Sequence, residues 1–156
     1  DKQKTTVGQL LSAPVFTFLN EKAKAKAVKT QINCGMAREL ELTIDGKRVV
    51  QVITNLLENG LRYASSGGEL SFSMGKDPSD GMLLFQIYNS GEGIAADEIP
   101  HLFESFYQGN DPRKQRGRLG LGLSIAKEII EGHSGKIWIN SDGPDKGTTF
   151  SFKIPI

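Results

Sequence analysis

Residues 46–64 read GKRVVQVITNLLENGLRYA, and their spacing decides how the rest of the chain is read. Val49, Val52, Ile53, Leu56, Leu57 and Leu61 recur at intervals of three and four, so the stretch is predicted to be a strong amphipathic helix. Two asparagines, Asn55 and Asn59, interrupt it. Asparagine is a mediocre helix former because its short amide competes for backbone hydrogen bonds. Successive helical residues turn by about 100°, which puts Asn55, Asn59 and Arg62 within roughly 60° of one another, opposed to much of the apolar stripe. Two neutral oxygens and a cation on one face can ligate a hydrated Mg²⁺ and hold a phosphate, because Mg²⁺ takes oxygen ligands and keeps several waters. Solvated or backbone-capping asparagines explain the same pattern.

Outward from this helix, RELELTI (38–44), GELSFSM (68–74) and MLLFQIY (82–88) read as strands, the last two separated by the turn-rich GKDPSDG (75–81). DEIPHLFESFY (97–107) predicts a short helix. The following QGNDPRKQRGRLG (108–120) is too long and too charged for a simple connection. LGLSIAKEIIEGH (121–133) predicts a helix closed by Gly132, and GKIWINS (135–141) with GTTFSFKIPI (147–156) a hairpin-like pair. Upstream, Val7, Leu10, Leu11, Val15, Phe16, Phe18 and Leu19 have roughly helical spacing, carried on into NEKAKAKAVKT (20–30). Helices and strands segregate without βαβ alternation, so the expected class is α+β, a sandwich of one mixed sheet with helices on one face.

The 156 residues suit one domain with a sizeable core, and 38% hydrophobic against 24% charged residues is a globular balance. Nineteen Lys+Arg against 18 Asp+Glu leave a net charge of +1, which gives no ground for bulk nucleic-acid or polybasic membrane binding. Cys34 is the sole cysteine, which excludes an intramolecular disulfide or a Cys-cluster zinc site. No apolar run approaches the roughly 20 residues that span a bilayer. The N-terminus lacks the apolar core of a signal peptide, and the missing initiator Met points to a piece of a longer chain.

Two further stretches bear on chemistry. In NSGEGIAADEI (89–99), Gly91 and Gly93 follow directly on a predicted strand, which lets backbone pass close to a flat ligand; a plain turn accounts for them equally. It is not the dinucleotide fingerprint, which needs a third glycine and a long following helix. In RKQRGRLGLGLSIAKEII (113–130), glycines 117, 120 and 122 lead into a helix whose unpaired N–H groups can bind an anion, preceded by Arg113, Lys114, Arg116 and Arg118. Without Gly-Lys-Ser/Thr it is no P-loop, and a solvated basic surface loop is the other reading.

In order along the chain stand Asn-x₃-Asn-x₂-Arg-Tyr, Gly-x-Gly-Ile, Phe-x₂-Phe, Gly-x-Gly-Leu and Gly-Thr-Thr-Phe. This series resembles the catalytic, ATP-binding domain of sensor histidine kinases, in the GHKL superfamily shared with type II topoisomerases, mismatch-repair ATPases and a large chaperone family. NLLENGLRY looks like the N box, NSGEGI the G1 box, FESFY the F box and GLGLSIAKEIIEGHSGKI the G2 box, with GTTFSF the last glycine box. The resemblance covers roughly residues 30–156. It implies a two-layer, Bergerat-type α/β sandwich with a mostly antiparallel mixed sheet and a mobile ATP lid at about 107–119. It further implies a domain at 29–156, with 1–28 a helical linker or the tail of an acceptor-histidine domain.

By the same resemblance Asn59 ligates Mg²⁺ with Asn55 beside it, and Asn55, Asn59 and Arg62 form the catalytic set. Arg62 reaches phosphate and Tyr63 flanks the nucleotide. Asn89, Gly91, Gly93 and Ile94 line the adenine pocket, and Phe103 and Phe106 anchor the lid. Arg116 and Arg118, then Gly120, Leu121, Gly122 and Leu123, face the phosphates, and Thr148 and Thr149 sit near the base. The implied ligands are ATP and Mg²⁺. The implied partners are an acceptor-histidine dimerisation domain and a response regulator, and the implied compartment is the cytoplasm.

Three departures stand out. The family nearly always has Asp where this chain has Asn89; a neutral acceptor in place of a charged one costs on the order of 1–2 kcal/mol, about tenfold or somewhat more in affinity. Gly60 replaces a usual Ala, and a mid-helix glycine costs up to ~1 kcal/mol. Arg118-Leu119 stands where Gly-Thr is commoner. Hydrolytic members usually carry Glu four residues before the Mg²⁺ asparagine; Asn55 occupies that place and cannot abstract a proton, which argues for phosphoryl transfer to another group. His101 and His133 lack the context of a phosphoacceptor, so a structural or solvent-exposed role is expected of both. The expected function is therefore a histidine-kinase catalytic domain, the alternative being a degenerate nucleotide-sensing or scaffolding domain.

Overall fold

The computed structural model describes residues 1–12, 14–35, 38–104, 122–143 and 145–156. In chain order these form β1 (Gln3–Thr6), α1 (Val7–Leu11), α2 (Val15–Ala25), β2 (Lys29–Cys34), β3 (Glu41–Ile44), α3 (Gly46–Tyr63), β4 (Glu69–Lys76) and β5 (Leu83–Asn89). A 3₁₀ turn (Ile99–His101), α4 (Gly122–Gly132), β6 (Lys136–Asn140) and β7 (Thr148–Ile154) follow. The main sheet has the order β2-β4-β5-β7-β6; β2 runs parallel to β4 and every other pairing is antiparallel. The expected α+β sandwich with a mostly antiparallel mixed sheet is the observed architecture.

Alternation along the strands makes the two layers. Leu70, Phe72 and Met74 of β4, Leu83, Phe85 and Ile87 of β5, Phe150, Phe152 and Ile154 of β7 and Ile137 and Ile139 of β6 are all buried. α2, α3 and α4 pack against this sheet. Register brings Phe85 opposite Phe152, with ring centroids 4.4 Å apart in a stacked arrangement. The alternate positions, among them Ser71, Ser73, Gln86, Tyr88 and Thr149, are only half-buried, as expected of a sheet with one covered face.

Helix ends explain where the elements stop. Asp45 caps α3, its carboxylate accepting from Arg48 N at 3.2 Å. At the other end Lys26 Nζ donates to the Leu61 and Arg62 carbonyls at 2.8 and 3.0 Å, a cation on the negative end of the helix. His133, buried after α4, joins the two helices: its Nδ1 donates to the Ile129 carbonyl at 2.8 Å and its Nε2 accepts from Asp45 N at 3.0 Å. Those partners fix the neutral Nδ1–H tautomer and give His133 the structural role expected of it.

Four expectations are corrected. Residues 1–28 are not wholly helical: β1 precedes two helices, because Thr6 starts α1 through a capping box with Gln9. Val7, Leu10, Leu19, Ala23 and Val28 of this segment lie in the same core as the rest. The helix expected to run on through 20–30 ends at Ala25, where Ala27 (φ 58°) turns the chain and Val28 N reaches back to the Ala23 carbonyl at 2.8 Å. β2 was thereby hidden, since five of its six residues are exposed on an edge strand and show no apolar alternation. The single expected sheet is two, because β3 pairs with β1 and not with the main sheet. The helix expected over 97–107 is, within the described residues, one 3₁₀ turn at Ile99–His101 with Pro100 in it; Pro100 has no N–H to donate.

Candidate nucleotide site

Several of the expected residues lie on the C-terminal half of α3 and at the adjoining ends of β5 and β7. Asn59 is 2% exposed, so it is not on a solvated face, and its Nδ2 donates to the Asn55 carbonyl one turn back at 2.7 Å. With the nitrogen so engaged, oxygen-ligand chemistry at Asn59 belongs to Oδ1. Asn55, half-buried, donates from Nδ2 to the Gly122 carbonyl at 3.1 Å, fastening α3 to the first residue of α4. Arg62 and Tyr63 are half-buried, and the Tyr63 ring stands 6.5 Å from that of Phe150.

Asn89 ends β5 with 0% exposure, and Thr148 starts β7 with 1%. The two are cross-strand partners. Asn89 Nδ2 donates to the carbonyl of Ser90 at 3.0 Å. Neither Asn89 Oδ1 nor Thr148 Oγ1 has a hydrogen-bond partner among the described residues. A buried polar atom left unpaired costs about 1–3 kcal/mol, so two on neighbouring strands call for an explanation. A planar heteroaromatic ring bearing an amino group supplies a donor to the amide oxygen and either role to the hydroxyl. The residues therefore fit a nucleobase. α3 comes close here because Gly60 has no side chain: a Cβ on it would lie 2.7 Å from Leu70 Cδ1, 3.3 Å from Ile87 Cγ2 and 3.8 Å from Asn89 Oδ1.

The glycines after β5 stand where the fold leaves no room for a side chain. Gly91 (φ 137°) sits where a Cβ would meet the Tyr63 carbonyl oxygen at 2.3 Å, and Gly93 (φ 77°) where one would meet Ser141 Oγ at 2.6 Å. These contacts seat the 91–94 loop against the end of α3 and the β6–β7 turn. Ile94 is buried, and its N–H donates to Ser141 Oγ at 3.0 Å.

Thr148 and Thr149 part company. Adjacent strand residues face opposite sides, so Thr148 shares the buried side with Asn89 while Thr149 lies beside Tyr88 on the other. Phe103 is packed partly against the core, with Lys127 Nζ 5.9 Å from its ring centroid. Gly122 opens α4, and Leu123 is a buried core residue. Phe106, Arg116, Arg118, Gly120 and Leu121, with the expected lid, lie outside the described residues. His101 is 52% exposed beside Glu104, 2.8 Å away, in line with a solvent-exposed role. Among the described residues no three His, Cys, Asp or Glu stand together to hold a metal, so a divalent cation here would rely on amide oxygens and ligand phosphates, the donors Mg²⁺ accepts.

Three contributors escaped the sequence. Ser141 lies in a polar turn like any other, Lys26 in a lysine-rich run, and the Ser90 carbonyl leaves no side-chain signature. Only their partners identify them.

Residues 44–156 match the family described as histidine kinase-, DNA gyrase B-, and HSP90-like ATPase. The sensor histidine kinase WalK of Bacillus subtilis is 36% identical over 120 residues, 76% of this chain and 19% of that protein. The adaptive-response sensory kinase SasA of Nostoc sp. is 33% identical over 155 residues, 99% of this chain and 37% of that protein. The chain thus spans well under half the length of these relatives. Among solved structures, a nucleotide-free catalytic domain of histidine kinase ThkA has a TM-score of 0.84 at 25% identity, covering 99% of this chain and 95% of that one.

Proposed function

The chain belongs to the histidine kinase-, DNA gyrase B- and HSP90-like ATPase family, and from that premise we propose that it binds Mg²⁺·ATP as the catalytic domain of a sensor histidine kinase. The observation that carries this reading is the buried pair Asn89 Oδ1 and Thr148 Oγ1, unpartnered among the described residues and adjacent in register, where α3 approaches Asn89 at Gly60. The amide oxygen accepts from the exocyclic amine of adenine, and Ile94 closes the same pocket. Asn59, with Asn55, would hold Mg²⁺ through their oxygens, and the ion supplies neutralisation of phosphate charge. Arg62 is assigned to the phosphates.

In this reaction the γ-phosphoryl group passes from ATP to an imidazole nitrogen, the bond to the β-phosphate oxygen breaks and ADP leaves. The protein's task is positioning and charge stabilisation. Asn55 supports transfer over hydrolysis: an amide cannot take a proton from water, and its nitrogen is occupied by the Gly122 carbonyl. The acceptor histidine belongs to a dimerisation domain of the parent protein, with a response regulator downstream. No described helix is long and apolar enough to cross a membrane, and a domain that uses ATP is placed in the cytoplasm.

Calorimetric titration with Mg²⁺·ATP, followed by incubation with γ-labelled ATP and the acceptor domain, tests this. Binding and a labelled acceptor histidine are expected, with no label on His101 or His133. Absence of binding at millimolar ATP would favour the second reading, a degenerate sensing or scaffolding domain, which the neutral Asn89 in place of Asp favours. Free phosphate release without acceptor would point to a hydrolase.

A further inference from the structure

We propose that Ser141, in the turn between β6 and β7, is a positioning residue that sets the base selectivity of the nucleotide pocket; this rests on the nucleotide-site reading above. On the nucleotide-site reading, two separate parts of the chain would border the base. One is the loop after β5, with Ile94 buried at its end; the other is the start of β7, where Thr148 faces Asn89. Ser141 Oγ joins them, accepting from Ile94 N at 3.0 Å and donating to the Gly147 carbonyl at 2.8 Å. A hydroxyl is the smallest side-chain group that can accept and donate at once. The joint has no room for a larger neighbour, since a Cβ on Gly93 would lie 2.6 Å from this oxygen.

Two backbone bonds lie alongside it, Gly147 N to the Gly91 carbonyl at 3.2 Å and Asp145 N to the Glu92 carbonyl at 3.1 Å. Ser141 is the side-chain member of this set and the one that fixes Ile94. Asn89 Nδ2 is held by the Ser90 carbonyl, which leaves Oδ1, buried and without a hydrogen-bond partner among the described residues, as the acceptor. That acceptor suits a 6-amino purine and opposes a 6-carbonyl purine, provided the ring is held against it. Ser141 ties Ile94 to the residue before β7, and loosening that tie would let a guanine ring shift away from the mismatched contact.

The test compares Mg²⁺·ATP and Mg²⁺·GTP affinities by calorimetry for the natural chain and for Ser141→Ala, Ser141→Thr and Ser141→Val, with thermal melts of each without nucleotide. Ser141→Ala is expected to weaken ATP binding roughly tenfold, the scale of losing one or two hydrogen bonds, and to weaken GTP binding less, so the ATP:GTP ratio falls. Ser141→Thr keeps the hydroxyl and restores the ratio; Ser141→Val, of the same shape without it, does not. The Thr/Val comparison stands if the alanine variant fails to fold. A ratio unchanged in Ser141→Ala, or equal in the Thr and Val variants, overturns the proposal. A natural chain that binds neither nucleotide overturns the nucleotide-site reading itself, and this inference with it.

Discussion

Asn89 carries local structure through one atom of its amide and leaves the other for the recognition proposed above. Its amide nitrogen satisfies the Ser90 carbonyl at 3.0 Å while its oxygen stays unpaired in a buried position. A carboxylate can reproduce the acceptor but cannot donate to Ser90. Asn89→Asp is therefore expected to lower nucleotide-free stability by about 1–3 kcal/mol, the cost of a buried group losing its partner. The same change should enlarge the rise in melting temperature produced by Mg²⁺·ATP, because a charged acceptor binds an amine more strongly. Melts with and without nucleotide check both signs; an unchanged nucleotide-free midpoint would mean the Ser90 bond contributes nothing. Gly91 carries a steric constraint of the fold itself. With φ at 137° and the Tyr63 carbonyl 2.3 Å from a would-be Cβ, Gly91→Ala is expected to destabilise by about 2 kcal/mol or more in urea titration.

Between elements, the connection of α3 to α4 matters most for the site. Asn55 fastens its middle to Gly122, and His133 fastens its N-cap residue to the end of α4. Neither bond is local in sequence. His133→Ala removes both an acceptor for Asp45 N and a donor to Ile129, so a loss of about 1–2 kcal/mol is expected. Because His133 joins the helices at the end away from Asn59, the ATP affinity of the folded variant should change little. Calorimetry on the variant at a temperature where it remains folded separates the two effects; an equal loss of affinity would show that the helix pair transmits strain into the pocket.

For the molecule as a whole, the turn between β4 and β5 holds an ion-pair cluster against β7. Lys153 pairs with Asp80 and, at 3.5 Å, with Asp77. Hydrogen bonds from Ser79 hold Asp77 below the ordinary carboxylate value, and the Lys153 ammonium does the same for Asp80. The Arg48 backbone N–H lowers Asp45 in the same direction. A carboxylate depressed on folding contributes stability above its unfolded value and loses it as pH falls through the folded one. Stability should therefore hold through neutrality and fall progressively below the ordinary carboxylate range of about pH 4. Asp77→Asn with Asp80→Asn should flatten that decline, measured by urea midpoints from about pH 5 down to about pH 2. An unaltered slope would place the acid sensitivity elsewhere.

What the sequence determined by itself was what repeats along the chain or survives as a fixed spacing. The period of α3, the alternation of β4, β5 and β7, and the ordered boxes around Asn59, Gly91, Gly122 and Thr148 were legible because each is a local pattern with one physical cause. The α+β class followed from their order. Tertiary structure alone decided the rest. β2 is an exposed edge strand, so burial imposed no apolar alternation on it, and only its parallel pairing with β4 makes it a strand. Thr148 and Thr149 look alike in sequence, and the register of β7 against β5 sends one to the buried side with Asn89 and the other to the opposite face beside Tyr88. Ser141, Lys26 and the Ser90 carbonyl act through partners 6 to 47 residues distant or through the backbone itself. A hydrogen bond between distant segments leaves no periodicity behind, and the chain must fold before such residues have anything to hold.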